Sequence, residues 1–292
     1  MNTKKPSSGE VVSTSGRVAR ILLFIFMLVV AILTLYPVVY VICGSFKENA
    51  ELLVGGTNIL PKVWIIDNFI DAWNSADFSV YTANSVIIAV GVMLLSLFSA
   101  GMAGYVLNRR EFPGKKLLFT LLMAFMFINV GSVSLRPLFE LAIDLKLNTS
   151  LFSVIFISAG TAQATYIFLV NSYMKTIPKE LDEAAIIDGC SFFQTYIHVI
   201  LPLLRPILAT VGLLSFRGGW NEYILPLVFT MTDESKRPLT VGVTMLKNAG
   251  DGAAAWNIMF AGATISIIPI LIIYICCSKY FIDGLTAGAV KG

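Results

Sequence analysis

Long apolar runs separated by short polar intervals set the pattern of this chain. The first run spans Ile21 to about Val41 and holds Pro37 in its outer third. It is too long for a signal-peptide core and lacks a small-residue cleavage site, so it reads as an uncleaved membrane-crossing helix bent at Pro37. Runs at Asn84–Leu107, Leu117–Ile143, Leu151–Met174, Ile207–Val228 and Ile258–Phe281 predict five further spans. Ser99, Ala100, Gly101, Ala103 and Gly104 give the second span a small-residue face suited to close helix packing. The expected fold class is therefore all-α, a polytopic membrane protein with six transmembrane helices over residues 21–281. Residues 1–20 read as a polar cytoplasmic tail and 282–292 as a short Gly-rich cytoplasmic tail.

The polar intervals set the orientation. Lys47 to about Tyr81 is mixed and aromatic, with Trp64 and Trp73, as befits a loop at a membrane surface. Thr232–Asn257 is a second long polar loop, Gly-rich at 250–252. Arg109-Arg110-Glu111-Phe112-Pro113-Gly114-Lys115-Lys116 is a short basic turn between the second and third spans. Placing this turn inside also puts Lys4, Lys5, Arg17, Arg20, Lys175, Lys179 and Arg205 inside. Six spans then leave both termini in the cytoplasm.

Residues 175–206 are the exception to short connections. Two spans need only a handful of linking residues, yet this interval uses about thirty. Pro178–Asp188 carries Pro near a helix start, acids in the first turn and good helix formers after them. Gly189 ends that helix by permitting a left-handed residue. A second helix over about Ser191–Ile200 stops at Pro202, so the interval forms a cytoplasmic helix–turn–helix. Leu181, Ala184, Ala185 and Asp188 are expected on one face of its first helix, with small alanines among acids offering a close approach to another protein.

Composition narrows the function. Of 292 residues, 57% are hydrophobic and 13% charged, against about a quarter charged in soluble domains. The net charge of +3 provides no broad basic field, so no nucleic-acid partner is expected. Cys43, Cys190, Cys276 and Cys277 lack metal-ligand spacing, and the single histidine, His198, has no catalytic partners at set positions. The chain has no GxxxxGK[ST] sequence, so it has no P-loop with which to hydrolyse ATP. Neither a catalytic site nor a bound metal or cofactor is expected.

Glu183-Ala184-Ala185, three residues, Gly189, nine residues, Val199, one residue, Leu201-Pro202 resembles the EAA motif of ABC importer permeases. Val199 stands where that motif usually has Ile. Asn68-Phe69, Phe78, Asn84-Ser85, Phe112-Pro113-Gly114, Leu147-Asn148-Thr149, Trp220-Asn221-Glu222-Tyr223 with Pro226-Leu227, and the end from Gly284 to Gly292 are similar to segments of the MalG-like carbohydrate permeases. The resemblance implies one half of the pore of a type I importer in a bacterial or archaeal cytoplasmic membrane. A second, usually different permease would complete the pore. Two ATP-binding subunits would carry ATP and magnesium, and an extracytoplasmic binding protein would deliver an oligosaccharide or glycan fragment. The resemblance assigns ATPase coupling to Glu183, Ala184, Ala185, Asp188, Gly189, Leu201 and Pro202. It also suggests that the long outer loop meets the binding protein and that the Gly288–Gly292 tail reaches the ATPase.

Polar groups inside spans are costly and mark candidate pathway residues. They are Asn129, Arg136 and Glu140 in the third span, and Arg217, Trp220, Asn221 and Glu222 in the fifth. Arg136 and Glu140 lie four apart and are placed to pair on one helical face. An Arg136 facing the pore would suit an acidic cargo, and Trp64, Trp73 and Trp220 would suit stacking on sugar rings or anchoring at the membrane interface. The alternatives are a permease for a non-sugar solute and an independent secondary transporter. A secondary transporter would have no use for the Glu183–Pro202 element.

Overall fold

The computed structural model describes residues 14–55, 58–75, 77–128, 131–248 and 254–289. Among them the regular structure is helical throughout, with no strand. Three helices are long, apolar and unbroken: α1 (Thr14–Gly44), α4 (Phe78–Arg109) and α15 (Trp256–Ala289). Between α1 and α4 lie the short α2 (Asn49–Val54) and α3 (Asp67–Ser75). The third predicted span is divided into α5 (Lys115–Phe125) and α6 (Leu135–Asp144), with a 3-10 turn at Gly131–Ser134 between them. The fourth is α7 (Leu151–Thr161) and α8 (Gln163–Met174), bent by 50°. The helices α9 (Glu180–Ile187), α10 (Phe192–Thr195), a π-helical turn at Tyr196–Ile200 and α11 (Leu201–Leu203) follow. The chain then turns by 81° into α12 (Arg205–Asn221), continues as α13 (Ile224–Phe229), and reaches α15 through α14 (Leu239–Met245).

These helices depart from six uniform spans: the third, fourth and fifth are each interrupted, and the last is longer. The third span breaks because polar and small residues, Gly131, Ser132 and Ser134, follow one another and Gly131 takes a φ of +57°. Such residues favour turns over an apolar helix. The last span is longer than expected: α15 runs to Ala289 through residues read from sequence as a tail.

Helix α4 is the centre of the bundle, packed by α7, α8, α12 and α14. Its small residues permit this. A β-carbon on Gly104 would lie 2.6 Å from Val170 Cγ1, and one on Gly101 would lie 2.6 Å from the Tyr196 hydroxyl. Three apolar clusters fill the bundle. One joins Tyr105, Val170, Met174, Tyr196, Ile200 and Leu204. Another joins Phe78, Tyr81, Phe216, Trp220 and Leu239, and a third joins Ile88, Val154 and Phe229. By contrast, residues 20–39 of α1 are exposed along their whole length, an apolar surface that only lipid or another membrane helix covers without penalty.

Asparagines tie the loop ends at the face opposite α9. Asn68 Nδ2 donates to the carbonyls of Ser45 (2.9 Å) and Lys47 (2.8 Å), and its Oδ1 accepts from Asn257 Nδ2 (2.7 Å). Asn49 Nδ2 donates to the Ala254 carbonyl (3.0 Å), and its Oδ1 accepts from the Trp256 amide (3.0 Å). These side chains satisfy backbone groups that no helix or strand satisfies.

Candidate functional site

The helix–turn–helix forms as the sequence indicates. Glu180, Asp182 and Glu183 occupy the first turn of α9, where acids complement the helix dipole. The helix ends at Gly189, whose φ is +83°. The Gly189 amide reaches the Ile186 carbonyl (3.0 Å) and the Cys190 amide reaches the Ala185 carbonyl (2.9 Å), closing the last turn. Ser191 then starts α10 with a capping box: its hydroxyl accepts from the Gln194 amide, and the Gln194 side chain accepts from the Ser191 amide. The second helix continues beyond Ile200. A π-turn over Tyr196–Ile200 precedes Leu201-Pro202, and the chain turns by 81° at Leu204.

Of the predicted coupling residues, Glu183, Ala184, Asp188, Gly189 and Pro202 are exposed, and Leu201 is half-buried. Ala185 is 5% exposed and packs inward, apart from the exposed residues expected beside it. Ile186 and Ile187 are 61% and 85% exposed. Sequence reading missed this pair because both flanks of so short a helix carry apolar residues. The signal available was two adjacent isoleucines in a helix otherwise rich in acids.

The elbow is held to the end of α4. Arg109 Nε donates to Asp182 Oδ2 (2.9 Å), and Arg109 Nη2 donates to the Ile177 carbonyl (2.8 Å). The Tyr105 hydroxyl donates to Asp182 Oδ1 (3.0 Å). The Tyr105 ring stacks on Phe192 with centroids 4.6 Å apart, and the Arg110 guanidinium lies over the Phe192 ring, 4.2 Å from its centroid. In the adjoining turn Lys115 pairs with Glu111 at 2.7 Å, and its hydrogen bond and charge hold that carboxyl below its usual range.

The pathway candidates fall into separate groups. Arg136 and Glu140 do pair, Nε to Oε1 at 3.0 Å, on an exposed face of α6. Arg217 and Asn221 lie exposed on α12. Trp220 does not join them: it is 3% exposed and stacks on Phe216, so it packs the core rather than lining a cavity. Trp64 lies exposed in the loop before α3 and Trp73 exposed on α3, against Phe46 and Phe78 respectively. Asn129 and residues 249–253 and 290–292 lie outside the described residues.

Glu222 sits where α12 gives way to α13. Its Oε1 accepts from the Leu225 amide (3.3 Å), and its carbonyl accepts from the Thr240 hydroxyl (2.7 Å). It lines a cleft of about 440 Å³ together with Gly131, Ser134, Gly160 and Thr161. Those residues come from the breaks between α5 and α6, α7 and α8, and α12 and α13, so three interrupted spans meet at one cleft. Beside it, both polar atoms of the Gln163 amide and the Ser158 hydroxyl are buried without a hydrogen-bond partner.

Fold and site together define a multi-pass membrane transport protein, with spans interrupted around a common cleft and a helical elbow outside the apolar bundle. The family described as "Binding-protein-dependent transport system inner membrane component" matches residues 100–285. The Bacillus subtilis probable ABC transporter permease protein YurM is 34% identical, over 92% of this chain and 87% of its own. The arabinooligosaccharides transport system permease protein AraQ of Halalkalibacterium halodurans is 33% identical, over 90% of this chain and 93% of its own. A crystal structure of a bacterial ABC transporter that imports the acidic polysaccharide alginate superposes with a TM-score of 0.76 at 26% identity, covering 95% of this chain and 100% of that one. The chain belongs to the family of binding-protein-dependent transport system inner membrane components, and it is an ABC importer permease.

Proposed function

We propose that this permease forms half of the pore of a carbohydrate importer and that α9 is its docking element for a separate ATP-binding subunit. The observation that carries the docking reading is the exposed tip of α9. Glu183, Ala184, Ile186, Ile187, Asp188 and Gly189 form a protruding apolar knob with acids around it. Exposed isoleucines beyond an apolar bundle call for a protein partner, because each contributes about 1.5–3 kcal/mol when buried. ATP and magnesium belong to that partner, in two copies, and this chain binds no cofactor itself. A second, different permease completes the pore, covers α1 and faces the polar groups of α6 and α12. An extracytoplasmic binding protein delivers the cargo to the face that carries the Asn68 and Asn84 ties. The basic turn at Arg109–Lys116 orients the chain with both termini in the cytoplasm.

A carbohydrate cargo is supported by the names of the relatives. Glu222, Ser134 and Thr161 supply hydrogen-bonding groups of the kind sugar hydroxyls require, in a cleft otherwise lined largely by apolar residues. The Arg136–Glu140 pair argues against a cation reserved for acidic sugars. Transport rests on alternation of the two pore halves, driven through the elbows by closure of the ATPase dimer. The test is purification of the tagged permease from membranes of its own host. Co-elution of an ATPase and a second permease, with ATP-dependent oligosaccharide uptake after reconstitution, is the expected result. A permease that elutes alone and still transports would overturn the reading.

A further inference from the structure

We propose that α4 is the rod through which the ATPase-docking elbow and the opposite face of the permease communicate, with Arg109 and Asp182 as positioning residues at one end and Asn84 and Ser85 at the other. The inference rests on the reading of α9 as the docking element.

At the elbow end, α4 grips both helices of the element. Arg109 and Asp182 have side chains only 6% and 13% exposed. The guanidinium also donates to the carbonyls of Ile177 (2.8 Å) and Pro178 (3.3 Å), the approach to α9. Asp182 accepts on both oxygens, from Arg109 and from Tyr105, so its position is set in two directions. Phe192 of α10 contacts both the Tyr105 ring and the Arg110 guanidinium. A displacement of α9 or α10 therefore acts directly on residues 105–110.

At its other end α4 is tied to the loop before α14. Asn84 Nδ2 donates to the carbonyls of Ser235 (2.8 Å) and Arg237 (3.0 Å). Ser85 Oγ accepts from the Leu239 amide (2.7 Å) in a fully buried contact. Asn84 and Arg109 are separated by 25 residues of continuous helix without proline, about 38 Å at 1.5 Å per residue. The spans covalently nearer the elbow do not offer such a path. The pairs α7–α8 and α12–α13 are both interrupted, and a break absorbs displacement that an unbroken helix transmits. Thus the docking element and the outer loop are joined by one stiff helix, anchored by polar contacts at each end. This assigns to α4 a role beyond filling the centre of the bundle.

The experiment uses the full complex in proteoliposomes, with ATP hydrolysis measured with and without the cargo-loaded binding protein. Arg109→Gln, Asn84→Ala and the double variant are compared with the wild type. The expected result is basal hydrolysis near wild type, stimulation by the loaded binding protein reduced about tenfold in each single variant, and no further loss in the double. A purely structural role would lower yield and Tm but leave the ratio of stimulated to basal hydrolysis unchanged, and that ratio overturns the proposal. Multiplying losses in the double variant would also overturn it, since they mark independent routes. Should Arg109→Gln fail to assemble, the isosteric Asp182→Asn carries the same comparison. A wild-type complex with no stimulation at all would count against the docking reading instead.

Discussion

Gly104 lies against Val170 so closely that a β-carbon there would come within 2.8 Å of the valine Cβ and 2.6 Å of its Cγ1. The Asn171 amide nitrogen would be 3.2 Å away, so the opposing wall is partly backbone. This is the point at which α4 and α8 approach, and the fit explains why small residues are grouped in the last third of α4. Gly104→Val is expected to force the helices apart, at a cost of about 1–3 kcal/mol. A thermal melt of the purified complex should show a clear drop in Tm, whereas an unchanged melt would mean that α4 and α8 do not meet there.

Gly189 tests the elbow in a different way. Nothing lies within 4 Å of a β-carbon built on it, so any substitution penalty arises from its φ of +83° and from a partner, not from crowding inside this chain. Asn tolerates the left-handed region better than a β-branched residue does. Gly189→Asn should therefore retain more uptake than Gly189→Val, by about tenfold if the turn conformation is what matters. Equal uptake by the two would show that the turn can be reshaped without loss. Gly189→Asp adds a charge where the ATPase is to dock and should abolish uptake while the protein remains in the membrane.

Ile187 is the more exposed of the two isoleucines at the α9 tip, at 85% against 61% for Ile186. Its replacement by aspartate leaves the permease interior untouched. Burying an isoleucine against a partner is worth about 1.5–3 kcal/mol, so Ile187→Asp should weaken ATPase association by at least about tenfold. Titrating purified ATPase onto the assembled permease would measure it. Unaltered affinity would place the docking surface elsewhere.

The Arg136–Glu140 pair bears on cargo charge. With the guanidinium already matched by a carboxylate at 3.0 Å, Arg136→Leu should leave the relative uptake of neutral and acidic oligosaccharides unchanged. Competition assays with the two kinds of glycan would show this. A selective loss of acidic substrates would reinstate Arg136 as a substrate contact.

The parts of this molecule legible in its sequence are those governed by local chemistry. The turn at Gly189, the acids at the start of α9 and the small face of α4 each follow from a few neighbouring residues, and the structure contains all three. Asn68 and Asn84 stood out as parts of a resemblance, but their task did not. Each bonds backbone more than twenty residues away, and for Asn84 more than 150. The break between α5 and α6 was hidden because apolar residues continue on both sides of Gly131 and mean hydropathy does not register backbone angle. The burial of Ala185 and the exposure of Ile187 were not legible, since helical periodicity gives the faces of α9 without saying which one the bundle covers. Trp220 looked like a pathway residue by composition and is a core residue by its stacking on Phe216.

The central claim is that the α9 elbow is the point at which ATP-driven motion enters the permease. Glu183 offers the most direct test, being exposed on that elbow in the first turn of α9. The measurement is ATP-dependent oligosaccharide uptake into proteoliposomes carrying the complex with Glu183→Lys, at matched amounts of inserted permease. The account predicts uptake at background level while the variant remains inserted and folded. Uptake equal to wild type would contradict it.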